Sequence, residues 1–78
     1  MTEFLVSLHS VRDVKQFVTA ASLIPADIDV VSGRYTVDAK SILGLCSLDL
    51  DKPVLVKFYG EDVSAFQSNI QDLIVEEA

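Results

Sequence analysis

The sequence has very few of the residues from which metal and cofactor sites are built. It contains one cysteine, one histidine and no tryptophan. A single cysteine excludes an intrachain disulfide and any multi-cysteine metal site. No glycine-rich phosphate loop, metal-ligand spacing or catalytic triad pattern occurs along the chain. The sequence therefore predicts a protein that is not an enzyme and that carries neither a metal nor an organic cofactor.

Long apolar runs are also missing. No stretch approaches the roughly 20 apolar residues that cross a bilayer, so membrane insertion is not expected. Residues 1–4 have neither the basic segment nor the cleavage pattern of a signal peptide. Together with the lone cysteine, these features predict a cytoplasmic protein.

Basic side chains are scarce. Twelve acidic residues against six basic ones give a net charge of −6, which opposes binding to nucleic-acid backbones and to anionic membranes. Some of the acids, such as Glu76 and Glu77, lie at the C-terminus. We interpret the acids as a solvated surface, and the alternative is an acidic face that selects a basic partner protein. The expected partners are proteins in either case.

Apolar residues, by contrast, are plentiful. They make up 50% of the chain, which is enough to predict a packed core rather than disorder. A chain of 78 residues has no room for a second lobe. Residues 1–78 are therefore predicted to form one domain.

The hydrophobic pattern predicts the element order β-α-β-β-α-β-α. Alternation indicates strands over residues 2–8, 27–32, 34–38 and 54–59, and helical spacing indicates helices over residues 11–22 and 42–48. A third helix is predicted from its apolar stripe, which consists of Val63, Phe66, Ile70, Leu73 and Ile74. Four antiparallel strands covered on one face by helices form an α+β, two-layer, open-faced sandwich. The uncovered face is predicted to be polar, with Asp27, Asp29, Thr36, Lys57 and Tyr59.

Two serines are predicted to begin helices. Ser10 is followed three residues later by Asp13, which forms a capping box in which the carboxylate accepts from the serine amide. The buried stripe of this first helix is predicted to be Val11, Val14, Phe17, Val18 and Ala21.

Ser41 begins the second helix. Its hydroxyl can accept a hydrogen bond from the first turn, and Gly44 rather than an acid stands three residues on. The free amides are therefore open to an anion, and Ser41 with Lys40 is a candidate phosphorylation site. A plain N-cap is the alternative.

The same short helix has more apolar residues than it can bury. Ile42, Leu43 and Cys46 are therefore a candidate protein-docking surface, with simple core packing as the alternative. Cys46 has no basic neighbour that would activate its thiol, so a nucleophilic role is not predicted.

Residues 39–48, with the run Ala-Lys-Ser-Ile-Leu-Gly-Leu-Cys-Ser-Leu, resemble a known family. They are similar to the regulatory-serine region of HPr, the phosphocarrier of the bacterial sugar phosphotransferase system, in Gram-positive bacteria. Residues 16–18, 28–30 and 60–62 also fit, and the match runs from Arg12 to the C-terminus. The resemblance implies the HPr fold and a phosphoprotein that regulates sugar transport. The implied partners are phosphotransferase-system enzymes, a serine kinase or a transcriptional regulator.

The chain departs from this family where the phosphoryl-accepting histidine lies. The family run is similar to Gly-Leu-His-(Ala/Thr)-Arg-Pro. Here the residues after Leu8 read His-Ser-Val-Arg-Asp. When residues 16 and 17 are aligned, Arg12 takes the place of the family arginine and Ser10 falls at the histidine position. His9 is thus one residue early, and Asp13 replaces the proline. The resemblance implies His9 as a candidate phosphoryl acceptor, with Ser10 and Arg12 supporting the phosphate.

Three hypotheses follow. The first is a divergent regulatory module that partners recognise through the Ser41 helix, with histidine phosphotransfer weak or lost. The second is an active phosphocarrier that accepts a phosphoryl group on His9 and passes it to sugar-specific components. The third is a small-ligand or assembly module that retains only the fold.

Overall fold

A five-stranded antiparallel sheet carries all the helices on one of its faces. The computed structural model describes residues 1–75, and the acids Glu76 and Glu77 lie outside that range. The strands are β1 (Thr2–Val6), β2 (Ile28–Ser32), β3 (Tyr35–Asp38), β4 (Val54–Phe58) and β5 (Ile74–Val75). Their order across the sheet is β3-β2-β4-β1-β5. The helices are α1 (Val11–Ser22), α2 (Ile42–Cys46) and α3 (Ser64–Asn69). The predicted α+β sandwich is confirmed, with five strands instead of four.

The last helix is shorter than predicted. It ends at Asn69, and a 3₁₀ turn over Gln71–Leu73 leads into β5. Ile74, which the sequence placed in a helical stripe, pairs instead with Val6 on β1. Two causes favour the strand: β-branched residues suit a pleated surface, and β1 offers hydrogen-bonding groups along its edge.

The inner face of the sheet and the helices enclose one core. Phe66 of α3 lies at its centre, with ring centroids 5.5 Å from Phe17, 6.1 Å from Phe58 and 6.2 Å from Phe4. This aromatic contact joins α3 to α1 and to strands β1 and β4. None of the helices within residues 1–75 is long and apolar enough to span a membrane.

Helix α1 has the predicted bounds, but its buried face is shifted. Val14, Phe17, Ala20 and Ala21 are buried, whereas Val11 is 62% exposed. The prediction that Val11 is buried is therefore wrong. It lies at the first helical position, so its side chain stands at the rim of the sandwich instead of over the sheet.

The uncovered face of the sheet is less polar than predicted. Strand register places Glu3, Lys57, Asp29 and Asp38 in one row across β1, β4, β2 and β3. The next row on the same face consists of Val75, Leu5, Leu55, Val31 and Thr36. Apart from the exposed Thr36, this row is apolar and half-buried, and it crosses a face that the sequence assigned to polar residues.

Candidate functional site

The start of α1 and the end of α2 meet around a shallow depression of about 410 Å³. Its lining residues are Leu8, His9, Ser10, Val11, Val14, Cys46, Leu50 and Asp51. His9 and Cys46 were predicted on separate grounds, and the fold brings both to this one surface. Leu50 and Asp51 belong to the loop between α2 and β4, and no local pattern in the sequence indicates that they reach α1.

The N-terminus of α1 is capped by side chains of the chain itself. The Asp13 amide donates to the Ser10 hydroxyl at 3.2 Å, which confirms Ser10 as the N-cap. The Asp13 carboxylate accepts from the amide of His9 at 3.0 Å. The predicted capping box assigned this carboxylate to the Ser10 amide, so that detail is wrong by one residue. The displaced bond ties Asp13 to the backbone of the candidate phosphoryl acceptor.

His9 is exposed, and its imidazole has one hydrogen-bond partner within residues 1–75. Nε2 lies 2.6 Å from the Ser7 hydroxyl. Arg12, which was predicted to support a phosphate, is also exposed. The ion pair that the described residues form joins Lys57 to Glu3 at 3.8 Å, on the uncovered face of the sheet.

Ser41 caps α2 as predicted. Its hydroxyl accepts from the Gly44 amide at 3.1 Å. A Cβ atom at Gly44 would lie 3.2 Å from both the Ser41 hydroxyl and the Val37 Cβ, so the glycine allows α2 to pack closely on β3. The ammonium group of Lys40 donates to the Ala26 carbonyl at 3.1 Å. Lys40 is thus bound to the loop before β2 in this structure.

Helix α2, whose Cys46 lines the depression, carries exposed apolar side chains. Leu43 is 82% exposed and Ile42 is 38% exposed, and Cys46 carries an exposed thiol. Leu45 is the buried residue of α2. We call Val11, Ile42, Leu43 and Cys46 the α1–α2 patch. Sequence reasoning missed Val11, because helical spacing alone placed it in the buried stripe.

The side chains gathered here supply one imidazole, hydroxyl groups, one thiol, a guanidinium group and the carboxylates of Asp13 and Asp51. Within the part of the chain that the structure describes, no group of three histidine, cysteine or acidic side chains is placed to hold a metal. The surface can accept a phosphoryl group or contact another protein.

A family model and two solved structures that are similar to this chain all belong to the same family. A family model described as "PTS HPr component phosphorylation site" matches residues 7–76. The structure is similar to HPr-C-His from Thermoanaerobacter tengcongensis, with 29% identity, a TM-score of 0.76, and coverage of 95% of this chain and 91% of that one. It is also similar to the phosphocarrier protein HPr from Bacillus anthracis, with 28% identity, a TM-score of 0.73, and coverage of 92% and 93%.

A more distant structure has the same fold. The histidine-containing phosphocarrier protein of Mycoplasma is 16% identical, with a TM-score of 0.69 and coverage of 91% of this chain and 86% of that one. No protein among the curated sequences matches this chain.

Proposed function

Because this chain belongs to the HPr family of the phosphotransferase system, we propose that it is a regulatory module that binds partner proteins through the α1–α2 patch, with phosphoryl transfer at His9 weak or lost. Members of the family are phosphocarriers and not enzymes, and they interact with proteins of the phosphotransferase system. The observation that carries the proposal is the contrast between an exposed apolar patch and a self-capped helix start.

The α1–α2 patch supports binding of a protein. Leu43 and Val11 are 82% and 62% exposed, and exposed apolar side chains gathered on one surface are typical of protein contacts. The adjacent depression adds a concave element. With a net charge of −6, the chain would favour a partner whose surface is apolar at the contact and basic around it.

The start of α1 is poorly suited to a phosphohistidine. A phosphate at a helix N-terminus is stabilised by free amides and by the helix dipole. Here the Ser10 hydroxyl accepts from the Asp13 amide and the Asp13 carboxylate accepts from the His9 amide. A phosphoryl group on His9 would also add negative charge close to that carboxylate, which is unfavourable.

Ser41 supports a regulatory role. Its oxygen already accepts from the Gly44 amide at 3.1 Å, so a phosphate on that oxygen would stand at a helix start where the dipole favours negative charge. It would also place a double negative charge one residue from Ile42, beside the α1–α2 patch. A serine kinase would then control which partner binds, and the partners would be cytoplasmic phosphotransferase-system enzymes or a transcriptional regulator.

A labelling experiment tests the proposal. The chain is incubated with phosphoenolpyruvate and the general enzyme of the phosphotransferase system, and acid-labile phosphate on His9 is measured against HPr from Bacillus anthracis. We expect labelling roughly 100-fold slower than for that HPr, because a misplacement of about 1 Å at a reacting group costs about that much. In parallel, the serine kinase and ATP should label Ser41.

Two variants serve as controls. The His9→Ala variant must abolish acid-labile label, and the Ser41→Ala variant must abolish label from ATP. Labelling of His9 as fast as in the reference HPr would contradict the regulatory proposal and establish the second candidate, an active phosphocarrier. The observation that favours this second candidate is the exposed imidazole at the rim of the depression. If neither residue is labelled, the chain is instead a small-ligand or assembly module that retains the fold.

A further inference from the structure

We propose that the free edge of β3 binds the same edge of a second copy of this chain, so that two sheets join across a two-fold axis at Thr36. Strand β3 stands at one end of the sheet order β3-β2-β4-β1-β5. Its outer edge therefore has no neighbouring strand within residues 1–75. This inference goes beyond the proposed binding of other proteins and does not depend on it.

One hydrogen bond shows which backbone groups lie on the free edge of β3. The Ala39 amide donates to the Ile28 carbonyl at 2.9 Å, so every second residue of β3 directs its amide towards β2. The N–H and C=O of one peptide unit point in opposite directions. The groups that point away from β2 are therefore the Arg34 carbonyl and the amides and carbonyls of Thr36 and Asp38. The Asp38 carbonyl already accepts from the Ser41 amide at 3.0 Å, which leaves two amides and two carbonyls.

An antiparallel pairing centred on Thr36 uses all four of these groups. Thr36 then lies opposite Thr36 of the second copy, and the two residues exchange two hydrogen bonds. The Asp38 amide of each copy donates to the Arg34 carbonyl of the other. A shift of two residues in either direction leaves one amide of each copy without a free carbonyl opposite it. The pattern of free groups therefore fits a second copy of β3 in one register.

The same pairing supplies a positive charge that the end of the sheet lacks. Asp29 and Asp38 stand directly opposite each other on β2 and β3, and like charges in that position are destabilising. Lys57 lies on the other side of Asp29 but forms its ion pair with Glu3. The proposed register places Arg34 of the second copy opposite Asp38. The two-fold axis repeats this pair, so the contact is complementary in charge to itself.

The side chains of β3 also favour pairing. Tyrosine, threonine and valine suit strands, and β3 has neither the proline nor the lysine that commonly blocks an edge. Tyr35, which is 71% exposed, would lie opposite Val37 of the second copy. Because β3 has only four residues, the contact is small, and we expect a transient dimer with a Kd of roughly 0.1–1 mM.

Sedimentation equilibrium of the chain alone, over concentrations that span this Kd, measures the dimer. Two charge-reversal variants, Arg34→Asp and Asp38→Arg, are measured separately and as an equimolar mixture. Each variant alone should associate at least about tenfold more weakly, because both attractive pairs become repulsive. The mixture should dimerise as the original chain does, because every contact again pairs an arginine with an aspartate.

Lys52→Asp is the matched control. Lys52 is exposed in the loop between α2 and β4, and its replacement changes the net charge by the same amount as Arg34→Asp. It should leave the dimer nearly as stable as in the original chain.

Amide hydrogen exchange of the original chain tests the register without any variant. The Thr36 and Asp38 amides should exchange more slowly as the dimer fraction rises, because each gains a hydrogen bond. The Val37 amide, which is directed towards β2, should exchange at the same rate at every concentration. This measurement decides the matter if Asp38→Arg does not fold.

Four results would overturn the proposal. The chain could stay monomeric throughout, which would leave the β3 edge to a strand of a different protein. The mixed variants could stay monomeric although the original chain dimerises. A dimer could form without slower exchange at Thr36. Finally, Lys52→Asp could weaken association as much as Arg34→Asp, which would assign the effect to net charge instead of to the β3 edge.

Discussion

Asp13 and Asp62 lie at the starts of α1 and α3, and each accepts hydrogen bonds from a different kind of neighbour. Asp13 accepts the amide of His9, a residue outside the helix. Asp62 accepts both the amide, at 2.9 Å, and the hydroxyl of Ser64, a residue inside α3. The first bond is relevant to function because it uses a group next to the candidate acceptor. The second bond fixes the end of a loop.

The pKa of Asp62 gives a prediction at this scale. The hydroxyl and the amide of Ser64 stabilise the charged carboxylate, so its pKa lies below the ordinary value of 3.8. The contribution of the Asp62 carboxylate to folding stability is complete above the pKa that Asp62 has in the unfolded chain. It is lost as the pH falls through the lower pKa that Asp62 has in the folded chain. In an NMR titration, Ser64→Ala should raise the pKa of Asp62 towards 3.8.

Ser68→Ala is the control for that titration, because Ser68 is exposed on the same helix. It should leave the pKa of Asp62 where it is in the original chain. If Ser64→Ala also left it unchanged, the hydroxyl of Ser64 would not be the cause, since the variant keeps the backbone amide.

At the scale of elements, the sequence predicts those helices and strands whose bounds depend on neighbouring residues. The serine cap and the 3.6-residue spacing define α1, and its predicted bounds match the structure at both ends. Leu73 and Ile74 also fit helical spacing, yet Ile74 pairs with β1. That pairing joins residues almost 70 positions apart, and local periodicity contains no information about it.

In the candidate site, too, some features depend on neighbouring residues and could be predicted, and others depend on the tertiary fold and could not. Ser10 and Ser41 could be predicted as N-caps because a cap depends on three or four neighbouring residues. The bond between Ser7 and His9 and the exposure of Val11 depend on where the β1–α1 connection lies relative to the sheet and to α2. Residue spacing along the chain does not determine that placement.

Gly60 provides a prediction about how β4 joins the last helix. A Cβ atom there would lie 2.6 Å from Cε1 of Phe58 and 2.8 Å from the Cβ of Ala26, and the Phe58 ring is buried. We expect Gly60→Ala to lower the free energy of unfolding by about 1–3 kcal/mol, as overpacking does. Urea denaturation measures the change.

A double-mutant cycle between Gly60 and Phe58 shows whether the loss of stability in Gly60→Ala comes from packing against the ring or from the backbone. Gly60→Ala should cost less in a Phe58→Leu background, because the ring that the new methyl group contacts is gone. An equal cost in both backgrounds would contradict the packing explanation.

At the scale of the whole molecule, two apolar surfaces could contact a partner enzyme. The α1–α2 patch lies on the helical side, and the half-buried apolar row of Leu5, Val31 and Leu55 crosses the opposite face of the sheet. The patch has the larger exposed fractions, with Leu43 at 82%, and it adjoins both His9 and Ser41. The row is flanked by the acids Glu3, Asp29 and Asp38. We therefore propose the helical side as the functional interface.

Leu43→Glu tests this placement, with Leu23→Glu as its matched control. Leu23 is 70% exposed and follows α1 at its opposite end from Val11. Leu43→Glu should weaken binding to the general enzyme of the phosphotransferase system by at least about tenfold, because it buries a charge in an apolar contact. Leu23→Glu should leave the affinity unchanged.

The most direct measurement is an NMR titration of the isotope-labelled chain with that enzyme, which follows each backbone amide. The account predicts that the signals of Val11, Leu43 and Cys46 shift or broaden first, and that Leu43→Glu removes the effect while Leu23→Glu does not. Perturbation centred on Leu5, Val31 and Leu55, with the α1–α2 patch unchanged, would contradict it.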